Sequence, residues 1–483
     1  MNALNYQLAF PEMLIAGTAC LILLVAVWGE QGRRGLAWGL ALLGLAGAAW
    51  LTLQGFGQAP RKAFHGMFVH DGLADVLKLT IYGVVALVFV YSRRYLQERD
   101  MYRGEYFVLG LFGVTGMMVM ASASHFLSLY LGLELLSLSL YALVAFRRDS
   151  TLASEAAMKY FVLGALASGM LLYGMAIIYG VTGSLDIAVV RSRVTAQSAD
   201  NVALVFGLIM VLIAMLFKLG AVPFHMWVPD VYHGAPTSVT LYLSTAPKLA
   251  GLAILLRLLV GGLEGLAPVW QDMLIIVSVL SMAGGNLIAI AQTNLKRMLA
   301  YSAISHMGFM LLGVLSTSDN GYGSALFYGV IYAVMSAGAF GMVILLSRAG
   351  FEAERLDDLK GLNQTHPWYA FLMLILMFSM AGVPPTVGFY AKLMVIQAAI
   401  SANLVWLAVV AVLMAVIGAY YYLRVVKLMY FDAPDGERKI EAPAELHWLL
   451  SANALSLLLV LPWIGTLMDL CAAAIGSFRS GLG

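Results

Sequence analysis

The chain has 483 residues, 61% of them hydrophobic and only 11% charged, with a formal net charge of +2 and a mean hydropathy of +0.87. A soluble domain carries about 25% charged residues, and a water-soluble fold of this length cannot hide so much apolar surface, so the solvent is lipid. No clustered basic face of the kind that tracks nucleic acid is present.

The N-terminus has no basic segment ahead of its first apolar run, so that run reads as the first membrane helix and not as a cleavable leader. About 20 apolar residues cross the roughly 30 Å hydrocarbon core. Fourteen runs qualify: 8–28, 36–54, 72–91, 106–123, 125–146, 154–180, 201–219, 237–260, 269–291, 298–316, 323–347, 368–400, 405–430 and 446–470. The longest polar connections are 348–367 and 431–445. With this count, one set of alternate connections holds 17 basic residues, from Arg33 and Arg34 through Arg93, Arg94 and Arg348 to Arg438 and Lys439. The other set holds five: Arg61, Lys62, Arg191, Arg193 and Arg479. Positive charge stays on the inner side, so both termini are expected outside. Adding or removing one helix would scramble the asymmetry.

Apart from Arg424 and Lys427, which stand at the inner end of the thirteenth run and are counted with the inner set, six basic residues fall within the runs: Lys78, Lys159, Lys218, Lys248, Arg257 and Lys392. Lys78 and Arg257 lie nearer run ends, where snorkelling is open to them. A charge at the bilayer centre costs from about 3 to more than 10 kcal/mol. Residues kept there are paired, hydrated or needed. Glu134 lies 13 residues before Arg147, roughly 20 Å at 1.5 Å per residue, and so near mid-membrane. Lys159 lies early in the next run, within pairing reach of Glu134 if the helix ends shift. One reading of that pair is a structural lock, although a buried ion pair is often no better than an apolar replacement. The other is a switch. Desolvation lowers a lysine's proton affinity and a nearby carboxylate restores it, so opening or closing the pair moves a proton. Lys248, 12 residues into its run, is also central.

Lys218 stands in Phe217-Lys218-Leu219-Gly220-Ala221-Val222-Pro223-Phe224-His225-Met226-Trp227-Val228-Pro229-Asp230. Each proline removes a backbone donor and frees a carbonyl, and non-helical backbone at membrane depth persists only inside protein or beside water. The seventh helix is therefore expected to be broken, with Lys218 at a hydrated cavity. The device recurs in Ala381-Gly382-Val383-Pro384-Pro385 of the twelfth run, with Lys392 about two turns later. Two breaks an odd number of spans apart predict inverted repeats, as in many ion-coupled transporters. His225, His233, His306 and Tyr232 are candidate relay members, because histidine titrates near neutrality. A satisfied buried histidine is the plain reading of each. No His/carboxylate set has metal-ligand spacing, so no metal is expected. Cys20 and Cys471 stand alone, so no iron–sulfur ligation is expected, and no phosphate-binding glycine motif opens a βαβ unit.

These strings resemble the antiporter-like subunits of respiratory complex I over nearly the whole chain. The match is carried by Leu131-Gly132-Leu133-Glu134-Leu135, Phe217 to Trp227, Pro229-Asp230-Val231-Tyr232-His233-Gly234-Ala235-Pro236, Gln292 to Arg297, and Tyr301 to Gly308. The resemblance implies an all-α polytopic fold of about 14 transmembrane helices with two inverted five-helix repeats, each with a broken helix. Its parts would be residues 1–105 (helices 1–3), 106–262 (helices 4–8), 263–430 (helices 9–13) and 431–483 (helix 14). It implies proton translocation along Glu134, Lys159, Lys218, Lys248 and Lys392, supported by His225, His233, His306 and Tyr232. His306 would stand where the counterpart of the fifth helix is expected, without a carboxylate. Lys392 stands where the family's M subunit would carry a glutamate, and the chain is short for the L subunit. FMN, iron–sulfur clusters and quinone would belong to other subunits, with no cofactor in this chain. Expected partners are the antiporter-like neighbour M, small subunits such as K and J, and the lipid of a bacterial inner membrane. A subunit of a multi-subunit cation/proton antiporter is the alternative.

Overall fold

The computed structural model describes residues 5–27, 34–196, 201–347, 350–434, 440 and 443–482. Arg33, Arg348, Arg438 and Lys439, counted above, lie outside the described residues. The first three crossings are α1 (Phe10–Val27), α2 (Arg34–Gly55) and α3 (Gly72–Glu98). Between α2 and α3 lies an antiparallel hairpin, β1 (Arg61–Ala63) and β2 (Phe68–His70), which the helical pattern did not predict. Next come α4 (Gly104–Ala121), α5 (Phe126–Val144) and α6 (Thr151–Thr182), then a short unpredicted helix, α7 (Ile187–Thr195). The seventh crossing is α8 (Val202–Leu219) followed by α9 (Trp227–Gly234).

The eighth run was expected as one helix over 237–260. It is instead α10 (Thr237–Leu243), α11 (Ala246–Leu255) and a π turn, Leu256–Val260. The signal was Pro247, which cannot donate to an upstream carbonyl and so stops the helix at Ser244–Thr245. Then follow α12 (Ala267–Ile290), α13 (Leu295–Leu315), α14 (Asp319–Leu346) and one turn, α15 (Leu362–Thr365). The twelfth crossing is α16 (Pro367–Ala381) plus α17 (Val387–Ser401), and α18 (Val405–Phe431) is the thirteenth. The last is one bent crossing, α19 (Ala444–Leu459) and α20 (Ile464–Ser480), kinked at Pro462. It runs ten residues beyond the predicted end at 470.

Thirteen segments are long and apolar enough to cross a membrane among the described residues. The interrupted α16–α17 makes the fourteenth crossing. Segments 237–260 and 295–315 are 94% buried, whereas α1, α2 and α18 are about one-third buried and turn apolar side chains such as Leu43, Trp50 and Val416 outward. An apolar outer surface is what lipid requires, and the enclosed middle is where polar groups can be satisfied.

Ion pairs line both faces. On one, Arg93 meets Glu445 at 3.1 Å, Arg94 meets Glu98 at 2.6 Å, Arg99 meets Glu352 at 2.6 Å and Lys296 meets Glu354 at 2.9 Å. The opposite face holds the start of α1, the hairpin and the end of α20, where Gly72 N–H donates to Ser477 Oγ at 2.9 Å. Lys78 and Arg257 do not snorkel. Lys78 pairs with Glu12 at 2.5 Å, and Arg257 forks onto both oxygens of Asp71 at 2.6 and 2.7 Å, all of them buried. A partner inside the protein costs less than stretching to water when the side chain faces the bundle.

Candidate functional site

Both helix breaks are built the same way. Gly220 (φ +77°) and Gly382 (φ +83°) adopt the left-handed conformation that only glycine takes at no steric cost. Gly220 N–H donates to the Leu216 and Phe217 carbonyls at 2.9 and 3.0 Å, and Ala221 N–H to Leu216 at 2.9 Å. Gly382 donates to Phe378 and Ser379 at 2.9 and 3.1 Å, and Val383 to Phe378 at 2.9 Å. These bonds satisfy the first free carbonyls of each helix end. A lysine closes the rest. Lys248 Nζ donates to Leu219 O at 2.8 Å, and Lys392 Nζ to Met380 O and Ala381 O at 2.9 and 2.8 Å. An ammonium at a helix C-terminus also meets the negative end of the helix dipole. The broken helices run in opposite directions, α8 starting from the face that holds the termini and α16 from the arginine-rich face.

Lys218 Nζ donates to Ser137 Oγ at 2.7 Å. Ser137 lies one turn beyond Glu134 on α5. Glu134 is half-buried, and its Oε1 is enclosed without a hydrogen-bond donor among the described residues. Lys218 also lies 5.9 Å from the Tyr141 ring centroid. The break is anchored on both sides: Trp227 Nε1 donates to Phe217 O at 2.9 Å, and Val222 N–H to Ser281 Oγ on α12 at 2.9 Å. Lys248 sits 5.2 Å above the Trp227 ring and 5.9 Å from that of Tyr232. Tyr232 is buried, its hydroxyl turned to Leu243 O at 3.4 Å.

On the second side His306 is enclosed between two tyrosines. Its Nδ1 lies 2.6 Å from Tyr328 Oη and its Nε2 3.0 Å from Tyr422 Oη, which also bonds Ser302. Lys392 stands 5.0 Å from the Phe309 ring, one turn along α13 from His306. No hydrogen bond joins Lys248 to His306 among the described residues. They flank α14, where Gly329 faces Leu249 and the adjacent Tyr328 holds His306.

Lys159 does not reach Glu134. It is 45% exposed and pairs with Glu155 and Asp230, each at 2.9 Å. It lies only two turns into α6, too near the arginine-rich face, and the α9 carboxylate captures it there. Asp230 also binds Arg297 at 2.9 Å, tying α6, α9 and α13 together. His225 is half-buried in the break itself. His233 lies on the arginine-rich face with Nε2 3.5 Å from Glu354. Sequence reading missed Ser137, Ser281, Tyr328 and Tyr422. Nothing separates these from the other serines, or from the other 21 tyrosines, until the helices pack.

Glu354 closes this end. Burial alone would raise its carboxyl, but His233 and Lys296 hold it down to about 2 from an ordinary 4.5. An acid depressed by folding adds stability above its unfolded value and loses it as the pH falls through the folded one. The tie is therefore complete above about pH 4.5 and is lost between there and about pH 2, worth about 3 kcal/mol in all. The protection of residues 350–358 against hydrogen exchange, measured relative to the intrinsic rate at each pH, should hold down to pH 4.5 and fall below it. In Glu354→Gln that protection should be low at every pH.

A lipid-embedded bundle with two oppositely directed broken helices and enclosed lysines has the architecture of ion-coupled membrane transport. The chain belongs to the membrane family described as NADH:quinone oxidoreductase/Mrp antiporter, which it matches over residues 123–418. It is 58% identical to NADH-quinone oxidoreductase subunit N of Thioalkalivibrio sulfidiphilus, covering 98% of both chains. It is likewise 58% identical to the subunit N of Thiobacillus denitrificans, covering 99% of both. Among solved structures it is similar to a chain of respiratory complex I from Thermus thermophilus, with a TM-score of 0.83 and 30% identity, covering 96% of this chain and all of that one.

Proposed function

We propose that the chain is a proton-translocating membrane subunit of a respiratory NADH:quinone oxidoreductase, and that Glu134, Lys218, Lys248, His306 and Lys392 carry the proton. The observation that supports this most is the pair of enclosed lysines, Lys248 and Lys392, each holding the carbonyl end of an interrupted helix at 2.8–2.9 Å. Such an ammonium has a reason to stay charged and a reason to leave. The carbonyls hold it, and the surrounding apolar core disfavours it. Carrying one charge through the membrane potential costs about 2.3 kcal/mol per 100 mV, and a series of sites divides that cost into steps. Proton uptake would begin on the arginine-rich face, read as the inner one, with both termini on the periplasmic side. Lys159 belongs to that face with Asp230 and His233, while His225 and Tyr232 line the first break beside Lys218 and Lys248. Residues 106–262 and 263–430 would be the two inverted repeats.

This chain would do no redox chemistry itself. Its only two cysteines are on α1 and α20, with no others to complete a cluster. FMN, iron–sulfur clusters and quinone would reside in other subunits. Its neighbours would be the antiporter-like M and small subunits such as K and J. Lys218→Ala in the assembled complex tests the reading. Proton uptake per electron pair should fall while the complex still assembles. Unchanged pumping would reduce the chain to a scaffold.

A further inference from the structure

Where α1, α2 and the hairpin meet on the face that bears the termini, the fold encloses more carboxylate than it answers. Glu12 on α1 and Lys78 on α3 are both buried and meet at 2.5 Å, so their charges cancel. Asp75, one turn before Lys78, is 2% exposed, and its Oδ1 accepts no hydrogen bond among the described residues. His70 Nδ1 lies 3.0 Å from that oxygen without making one, and the ring's hydrogen bond goes from Nε2 to the Gly55 carbonyl at 3.1 Å. A buried carboxylate oxygen left without a donor costs about 1–3 kcal/mol or more, so folded proteins nearly always supply one.

Asp75 is not sealed in. With Lys78, His70 and Arg61 it lines a cavity of about 360 Å³. Gln54 and Gln58 add amides to the wall, and Leu8, Phe10 and Leu51 add apolar surface. Arg61 is exposed and is the cross-strand partner of His70, so an enclosed anion and an exposed cation border the same cavity. The helices that supply the apolar wall are the ones turned outward: α1 exposes Phe10, Met13 and Leu14, and α2 exposes Trp50 and Leu53. The cavity therefore opens where apolar helix faces reach the aqueous side, which is the depth of phospholipid headgroups. A divalent metal ion fits it poorly, since no three His, Cys, Asp or Glu side chains converge on one point among the described residues.

We propose that this cavity binds a phospholipid whose headgroup carries a primary ammonium beside its phosphate, the ammonium donating to Asp75, the phosphate meeting Arg61, and the acyl chains lying along the outward faces of α1 and α2. A primary ammonium has three N–H donors, so it gives the Asp75 oxygen a hydrogen and a positive charge together. A choline headgroup has the charge but no N–H. A glycerol headgroup has hydroxyl donors but no positive charge. The bound lipid ties the start of α1 to the end of α2 and to the hairpin.

The test uses the assembled complex in phosphatidylcholine nanodiscs that carry a small fraction of one photoactivatable phospholipid, its diazirine placed high on an acyl chain. That lipid has an ethanolamine, a choline or a glycerol headgroup. Mass spectrometry reads labelling of residues 8–11 and 51–58 against the outward face of α18 around Val416. The ethanolamine lipid should label the first two segments about tenfold more than the choline lipid, the worth of one charge-assisted hydrogen bond, and all three should label α18 alike. Asp75→Asn should bring the ethanolamine labelling down to the choline level. Arg61→Gln, a change at an exposed side chain, should lower it severalfold and decides the matter if Asp75→Asn fails to accumulate. Soluble phosphoethanolamine in excess should not displace the probe; displacement would give the site to a free zwitterion and overturn the lipid. Equal labelling by all three lipids, labelling that ignores the substitutions, or no labelling of these segments by any lipid also overturns the site.

Discussion

Lys248→Met is expected to stop proton translocation while leaving the complex assembled. Lys248 is 3% exposed and its ammonium donates to one carbonyl, that of Leu219. Methionine fills a similar unbranched volume. Removing the donor costs about 1–3 kcal/mol for the exposed carbonyl, and removing an unpaired charge from the interior offsets much of that. Stability should therefore change little. Translocation should fall by about tenfold or more, a barrier increase of about 1.4 kcal/mol or greater. Lys248→Arg separates two roles that methionine confounds. A guanidinium keeps the charge and can still cap Leu219, but it does not give up its proton. If Lys248 only closes the helix end, arginine should restore function. If it passes protons, arginine should fail as methionine does. Proton uptake and quinone reduction, measured together in proteoliposomes, distinguish the two. Full pumping by either variant would remove Lys248 from the path.

Asp71→Ala should be the most damaging single change to stability outside the path. The Asp71 and Arg257 side chains are 1% and 4% exposed and joined by two short bonds. Removing one partner of such a pair leaves an uncompensated interior charge and costs about 3–5 kcal/mol. Asp71 also caps α3, accepting from Ala74 N–H at 2.9 Å, and losing a cap costs about 1 kcal/mol more. Arg257 keeps the Ala121 carbonyl, at 2.7 and 3.0 Å, but no anion. The subunit should be depleted from membranes, and the remaining complex should lose activity at a lower temperature. Replacing both residues, Asp71→Leu with Arg257→Met, should recover most of the loss, because no charge is then left in the core. Equal thermal inactivation of wild type and Asp71→Ala would show that the pair contributes nothing.

Much of this molecule is legible in one dimension because lipid is a demanding solvent. A crossing must be long and apolar, so the fourteen crossings could be read from run length alone. Gly-Ala-Val-Pro and Ala-Gly-Val-Pro marked the two breaks because proline removes a donor wherever it stands. Pro247 carries the same message, but it stands without a glycine inside an otherwise unbroken apolar run, which hides the interruption between α10 and α11. The Lys159–Glu134 pairing failed for a different reason. Run length gives depth along a helix to within a turn or two, but which acceptor a long side chain takes depends on a third helix, and α9 brings Asp230.

The amino-acid sequence by itself determined the solvent, the number of crossings, the charge asymmetry of the two faces and the positions where helices must break, since each follows from the free energy of single residues in oil or in a helix. Only the packed structure decided what each buried charge touches. Lys248 and Lys392 hold carbonyls, His306 lies between Tyr328 and Tyr422, and Lys78 and Arg257 found Glu12 and Asp71 instead of the surface. Those partners are distant in the chain, and their energies exist only once helices are close enough to exclude water between them.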